Sequence, residues 1–380
     1  MAALDIEHLV PYVSLITLAT ASVYAGAQGT LSSAKPSGSA QKAAGKANED
    51  KDDDEPVLER LTSADAWLFP VLGSFTLLGL FLVIKYVGKE WINFLLAWYF
   101  SLGGLVSVSR SLVRVARAAV GTARWKQFDR SQLKYVSGGA EIASVSWRTP
   151  SIFLVPLGFL PSILYTFFSG PKKSALLTNV LALSFAQDAM RLLQIDSFQT
   201  GTILLSGLFV YDIYWVFGTR VMVSVATDLD LPMKILAPKS LDFSMEKGAM
   251  MLGLGDIVVP GIFVALALRY DHYRHHSRAG APAGPAFAKP YFGAALTAYV
   301  AGLGTTMVVM HIFRTGQPAL LYLSPACILS FLLTAWRRGE VAEAWKWSDE
   351  PVPSKSGDEN REALKVSEAG APTPADASTQ

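Results

Sequence analysis

The sequence predicts an all-α membrane protein of nine transmembrane helices, with its N-terminus lumenal and its C-terminus cytosolic. Three observations lead there. Hydrophobic residues make up 51% of 380 positions and charged residues only 17%, a balance that belongs to membrane chains. The apolar residues gather in blocks of the roughly 17–25 residues that one crossing needs. Lysine and arginine then fall unevenly between alternate connections, as the positive-inside rule requires.

The blocks lie near 9–27, 67–85, 91–109, 152–169, 174–193, 199–218, 248–268, 291–311 and 317–336. The first ends in Ala25-Gly26-Ala27, which resembles a cleavage site, but Asp5 and Glu7 precede it and no Lys or Arg does. A retained span is therefore the preferred reading over a cleaved signal peptide. The third block has room to run longer, and the fifth is weakened by Gln187, Asp188 and Arg191. Connections 28–66, 110–151, the turn near Arg191, 269–290 and the C-terminal tail hold 24 of the 33 Lys and Arg, and all other connections hold 9. Positive charge stays cytoplasmic, so this asymmetry sets the orientation and supports an odd number of crossings.

The division of the chain follows. Residues 1–27 form the lumenal N-terminus and first span. Residues 28–66 are an Ala-, Gly- and Ser-rich cytosolic linker with an acidic run at 49–55, and residues 348–380 are a polar cytosolic tail; both compositions predict disorder. Residues 67–198 carry scaffold spans two to five, and 199–347 carry spans six to nine. The basic connection 110–151 is expected to lie against anionic headgroups. His272, His275 and His276 share their connection with Arg269, Arg274 and Arg278, cations that oppose metal binding. Cys327, the single cysteine, sits inside an apolar block, which excludes an intramolecular disulfide and reads as a small buried hydrophobe. No metal, other cofactor or nucleic-acid partner is expected.

Carboxylates inside a span carry the chemistry, because a charged Asp at mid-membrane costs roughly 2.5–3.5 kcal/mol even on insertion scales. Asp188 has Arg191 three residues on, the spacing of a local helix ion pair, and that pair or a place near the interface accounts for it. Asp212 and Asp256 have no such neighbour. On the sixth span Asp212 lies six residues from the lumenal end, roughly 9 Å, and on the seventh Asp256 lies eight residues in, roughly 12 Å, at helical rise. Two carboxylates on consecutive antiparallel helices thus reach similar depth. Gly253 and Gly255 before Asp256 permit close approach of backbone or substrate, and Pro318 is placed to open the last span as its first helical residue.

Tyr211-Asp212, Gly253-Leu254-Gly255-Asp256 and Pro318-Ala319-Leu320, in that order on spans six, seven and nine, resemble the YD, GxGD and PAL motifs of the presenilin and signal peptide peptidase superfamily. The flanks are also similar: Gly207-Leu208-Phe209-Val210, Tyr214-Trp215-Val216-Phe217-Gly218, Met251-Leu252, Pro260-Gly261-Ile262-Phe263, His311-Ile312-Phe313, and Gln317 through Leu323. The likeness is close over about residues 175–345 and topological before that. The charge-derived orientation matches signal peptide peptidases, whereas presenilins are inverted. Two departures are the acidic run at 49–55 and the absence of a dilysine signal at Ser378-Thr379-Gln380.

The resemblance implies an intramembrane aspartyl endopeptidase with Asp212 and Asp256 as catalytic pair. Tyr211, Gly253, Leu254, Gly255, Gln317, Pro318, Ala319 and Leu320 would shape the site; Tyr211 either hydrogen-bonds near the pair or packs. Substrates would be type II-oriented transmembrane helices such as remnant signal peptides, in the endoplasmic reticulum membrane. The expected partners are the lipid bilayer, a further copy of the chain and quality-control proteins of that organelle. A substrate helix must unwind before water attacks its carbonyls, and an added strand is one way to hold it. The β-branched stretch Val221-Met222-Val223-Ser224-Val225, or the segment near Pro318, is the expected pairing strand; a plain lumenal loop is the alternative for the first. Two rival functions stay open from residues alone: a transporter or cation channel with midplane acids, and a non-proteolytic scaffold for misfolded spans.

Overall fold

The architecture comes from a computed structural model, which describes residues 6–31, 59–125, 127–137, 140–168, 174–219, 221–228, 233–238, 249–279, 287–313 and 317–349. The acidic run at 49–55 and the tail from 350 onward lie outside the described residues, as does most of the expected linker.

The chain is mostly helical. The helices are α1 (Ile6–Leu31), α2 (Ser63–Tyr86), α3 (Lys89–Val120), α4 (Thr122–Trp125), α5 (Thr149–Ile163), α6 (Ala175–Leu192), α7 (Phe198–Asp212), α8 (Val221–Asp228), α9 (Gly255–Ala279), α10 (Pro290–Phe313), α11 (Leu320–Arg338) and α12 (Val341–Lys346). Among the described residues, seven helical segments are long and apolar enough to cross a membrane: Val10–Leu31, Ser63–Tyr86, Lys89–Val120, Thr149–Phe167, Phe198–Phe217, Pro290–Phe313 and Leu320–Arg338. The expected fifth and seventh spans, α6 and α9, are the two long helices outside that set. Charge is the reason: Asp188 and Arg191 lie on α6, and Asp256, Arg269, Asp271 and Arg274 on α9.

Those two helices lie in the interior. On α9, Ile262 through Leu268 are each at most 3% exposed, and the helix packs against α1, α6, α7, α10 and α11. Outer helices show the reverse: α2 turns Trp67, Phe69, Leu72, Phe75 and Leu82 outward. An apolar exterior around a polar-bearing central helix is what a bilayer solvent selects, since lipid tails solvate leucine as well as protein does. Small residues let the helices meet. A Cβ on Gly158 of α5 would lie 2.6 Å from the Ser109 Cα of α3, a distance that real side chains do not tolerate. Helix α11 ends at Gly339, whose φ of +67° is the left-handed C-cap that glycine adopts without a Cβ penalty.

Among the described residues, three small sheets join the helices. Strand β1 (Glu59–Leu61) pairs in parallel with β4 (Leu193–Ile195), β2 (Arg130–Ser137) pairs with β3 (Ala140–Arg148), and β5 (Lys234–Pro238) pairs antiparallel with β6 (Ala249–Gly253). The linker is therefore shorter than expected: Gln28–Leu31 extend α1, and residues 59–66 form β1 and the start of α2. The basic connection 110–151 is likewise not a plain loop, because α3 runs on to Val120 and the β2–β3 hairpin follows.

At the start of α7 the polar groups are tied together. Arg269 donates to the Ile195 carbonyl at 2.8 Å and to Gln194 Oε1 at 3.2 Å, and pairs with Asp349. Phe198 stacks on Phe331 with centroids 3.9 Å apart, edged by Phe263, Tyr270 and Trp347. Asp271 accepts the Phe292 N–H at 2.9 Å and so caps α10 from a neighbouring helix. Its carboxyl is pushed up to about 6, chiefly by burial, against the opposing pull of its backbone hydrogen bonds.

Two expectations are corrected here. Val221–Val225 belongs to helix α8 and not to a strand, so β-branching was outweighed by local helical hydrogen bonding. Asp188 pairs with Arg114 of α3 at 2.6 Å and not with Arg191; a Cβ on Gly29 would fall among the Arg191 guanidinium atoms, so that side chain points to α1 instead. A tertiary partner displaced the local one.

Candidate active site

Two helices carry the acidic residues, one at its end and one at its start. Asp212 is the last residue of α7 before five residues, Ile213–Phe217, wind as a π-helix. The Ile213 N–H faces both the Phe209 and Val210 carbonyls, the wider turn that often marks functional sites. Asp212 is 5% exposed. Asp256 follows at the start of α9, in its first turn, and is half-buried. The two carboxylates lie close enough for the charge of Asp212 to act on Asp256.

The approach to Asp256 departs from the expected span at 248–268. Residues Ala249–Gly253 are the extended strand β6, and the helix begins only at Gly255. Depth counted at helical rise from residue 248 is therefore not the depth of Asp256. Sequence periodicity missed this because Ala249-Met250-Met251-Leu252 is a continuous apolar run, which strand and helix share. Gly253 ends the strand against the carboxylate: a Cβ there would lie 3.3 Å from Asp256 Oδ2. Leu254 donates its N–H to the Met233 carbonyl at 2.9 Å, while its own carbonyl accepts from Ile257 and Val258 and so starts the helix. Gly255 has open space where a Cβ would stand.

Tyr211 packs: a Cβ on Gly73 of α2 would sit 3.5 Å from its ring, and Trp215 lies 6.3 Å away. Trp215 in turn donates its indole N–H to Ser74 Oγ of α2 at 3.0 Å, fixing α2 beside the π-helix. Gln317 is half-buried, and Pro318, Ala319 and Leu320 are buried at the start of α11. Pro318 precedes the helix rather than being its first residue; its carbonyl accepts from Leu321 at 3.3 Å, and Ala319 is the N-cap. Ala319 and Leu320 belong to the same apolar core as Leu252 and Ile257, which flank the strand-to-helix turn that carries Asp256.

Two residues escaped sequence reasoning. Tyr299 of α10 is fully buried within electrostatic reach of Asp256, and its hydroxyl has no hydrogen-bond partner among the described residues. Asn179 of α6 bonds to both backbone groups of Leu236 in β5. A lone Tyr or Asn in an apolar block gives no periodic signal, so neither was findable before the helices were placed. Cys327 is buried and free as a thiol. His272 and His276 lie ring to ring at 4.7 Å, and among the described residues no group of three His, Cys, Asp or Glu could hold a metal ion.

Comparison with known proteins gives the family. Residues 52–351 match the family model described as signal peptide peptidase. The chain is 37% identical over 320 residues to a signal peptide peptidase of Mus musculus, covering 80% of this chain and 79% of that protein. It is 36% identical over 325 residues to a signal peptide peptidase of Homo sapiens, with 81% and 80% covered. A probable intramembrane protease of Schizosaccharomyces pombe is 36% identical over 300 residues, with 78% and 88% covered. A family match across most of the chain, with relatives more than 30% identical over four fifths of it, assigns it: the chain belongs to the signal peptide peptidase family of intramembrane proteases.

Proposed function

We propose that the protein hydrolyses transmembrane peptides by aspartyl catalysis, with Asp212 and Asp256 as the reacting pair. The observation that supports the reading is the placement of these two acids at the end of α7 and in the first turn of α9, within electrostatic range of each other in an apolar scaffold. Two carboxylates in mutual range do not both ionise cheaply, so the pair shares one proton near neutral pH. One then takes a proton from water as it attacks the scissile carbonyl, and the other gives its proton to the carbonyl oxygen. The roles belong to the pair rather than to either residue.

The fold is read as nine crossings, with α6 and α9 joining the seven apolar spans, and with a lumenal N-terminus and cytosolic C-terminus from the 24-to-9 bias of basic residues. Tyr211, Gly253, Leu254, Gly255, Gln317, Pro318, Ala319 and Leu320 shape the site through the contacts described above. The substrate backbone is held by strand addition. The β5–β6 hairpin takes this role in place of Val221–Val225, because β6 ends three residues before Asp256. Remnant signal peptides in the endoplasmic reticulum membrane are the substrates that family likeness favours. Assembly with a further copy of the chain or with quality-control proteins is part of the same reading.

Purified protein in detergent, incubated with a synthetic signal peptide, is expected to give two peptide products whose new termini fall within the apolar segment. Intact substrate after prolonged incubation, in a preparation that binds an aspartyl transition-state analogue no better than buffer, would refute the assignment.

A further inference from the structure

Strands β5 and β6 form a sheet of two, so each has one outer edge, and an outer edge is a template for a third strand. The two edges are not alike. The Asn179 side chain reaches from α6 to β5, where its Nδ2 donates to the Leu236 carbonyl at 2.8 Å and its Oδ1 accepts the Leu236 N–H at 2.7 Å. One amide thus satisfies both backbone groups of a single strand residue, which is what a neighbouring strand does in an antiparallel hydrogen-bonded pair. The β5 edge is already taken at its centre.

Register then fixes what β6 offers. Leu236 stands opposite Met251. Since both Leu236 backbone groups turn away to Asn179, the Leu236–Met251 pair is a non-hydrogen-bonded one, and Met251 also turns its N–H and carbonyl outward. By alternation Ala249 and Gly253 do the same, while Met250 and Leu252 bond to β5. The Leu254 N–H to Met233 carbonyl bond, at 2.9 Å, continues the ladder with the same parity. Among the described residues no strand lies beyond β6, and Met251 is 57% exposed there.

We infer that Asn179 is a positioning residue that closes the β5 edge of the hairpin and so directs an incoming peptide strand onto Ala249, Met251 and Gly253 of β6, in a register set by that one edge. The inference rests on the strand-addition reading of the site. It deepens that reading by naming which edge binds and what enforces the choice. A strand on β6 lies one strand spacing from the strand that leads to Asp256, whereas one on the outer edge of β5 lies two spacings away, roughly 9.6 Å, with β5 between, and its carbonyls are out of reach. Slippage along β6 proceeds in steps of two residues, because a one-residue slip exchanges the faces of every side chain.

The test measures cut positions by mass spectrometry, together with kcat and KM, for the full chain and for Asn179→Leu and Asn179→Ser. Leucine keeps the volume and removes both hydrogen bonds; serine keeps a small polar group that cannot span both, and it decides the matter if the leucine variant fails to fold. The same substrate is also made with single N-methylated amides along the segment around the scissile bond. The inference predicts that alternate N-methyl positions block cleavage by wild type. It predicts that the Asn179 variants lose about tenfold in kcat, the equivalent of two ordinary hydrogen bonds, and spread their cuts to new positions. If N-methylation blocks cleavage but both variants cut at wild-type positions and wild-type rate, the role of Asn179 is overturned and strand addition stands. If N-methylation is harmless at every position, strand addition itself fails, and the inference with it.

Discussion

Replacing Phe198 with alanine tests whether the base of α7 is held rigidly enough to aim Asp212. Phe198 has no exposed surface, and its ring is stacked at 3.9 Å on Phe331 of α11 and edged by Phe263 and Tyr270 of α9 and by Trp347. Four aromatic neighbours from three parts of the chain cannot collapse together into the space left behind, so the full cavity cost applies. Buried Phe→Ala changes cost about 3–5 kcal/mol; a central value near 4 kcal/mol shifts the unfolding equilibrium by about 10³. Phe198→Leu keeps most of the volume and is expected to cost about 1.5 kcal/mol. Unfolding by sodium dodecyl sulfate in mixed micelles, followed by tryptophan fluorescence, measures both. A Phe198→Ala variant within about 1 kcal/mol of wild type would show that this cluster does not anchor α7 and that the aim of Asp212 is set elsewhere.

Three further outcomes follow from the same geometry. Arg114→Met leaves Asp188 buried without its 2.6 Å partner and is expected to cost about 3–5 kcal/mol, while the double change with Asp188→Leu costs less; a double-mutant cycle in the same micelles measures the coupling. Asp271 has its carboxyl pushed up to about 6, so the native state keeps a proton that the unfolded chain releases. The stability this gives is fully present below about pH 4 and is lost as pH rises through 6, by at most about 3 kcal/mol. Melting temperatures of wild type and Asp271→Asn between pH 4 and 7 check this, and the variant, which keeps an acceptor for Phe292, should lack that component. Gly253→Ala puts a methyl 3.3 Å from Asp256 Oδ2; displacing that carboxylate by a few tenths of an ångström is expected to lower the cleavage rate about tenfold without moving the melting temperature.

The helical scaffold was legible because bilayer thickness imposes a block length and charge imposes a side, both properties of composition. Asp212 and Asp256 stood out for the same reason, as acids without a neighbour where acids are costly. What was not legible depended on packing between distant segments. Asp188 found Arg114, 74 residues away, and not Arg191 on its own helix. The apolar run before Asp256 carries no sign that it pairs with Lys234–Pro238 and not with its own next turn. Val221–Val225 has the composition of a strand but follows the π-helix of α7 as a short helix. Asn179 and Tyr299 are single polar residues whose meaning appears only with their neighbours.

The central claim is that Asp212 and Asp256 act as one unit. Cleavage of a signal peptide by purified wild type, Asp212→Asn, Asp256→Asn and the double variant tests it most directly, with folding of each verified by melting temperature. Residues that act together lose as much singly as jointly, so each single variant is predicted to be as inactive as the double. A single variant that keeps a substantial part of the wild-type rate, or losses that multiply as if the two sites were independent, would contradict the account.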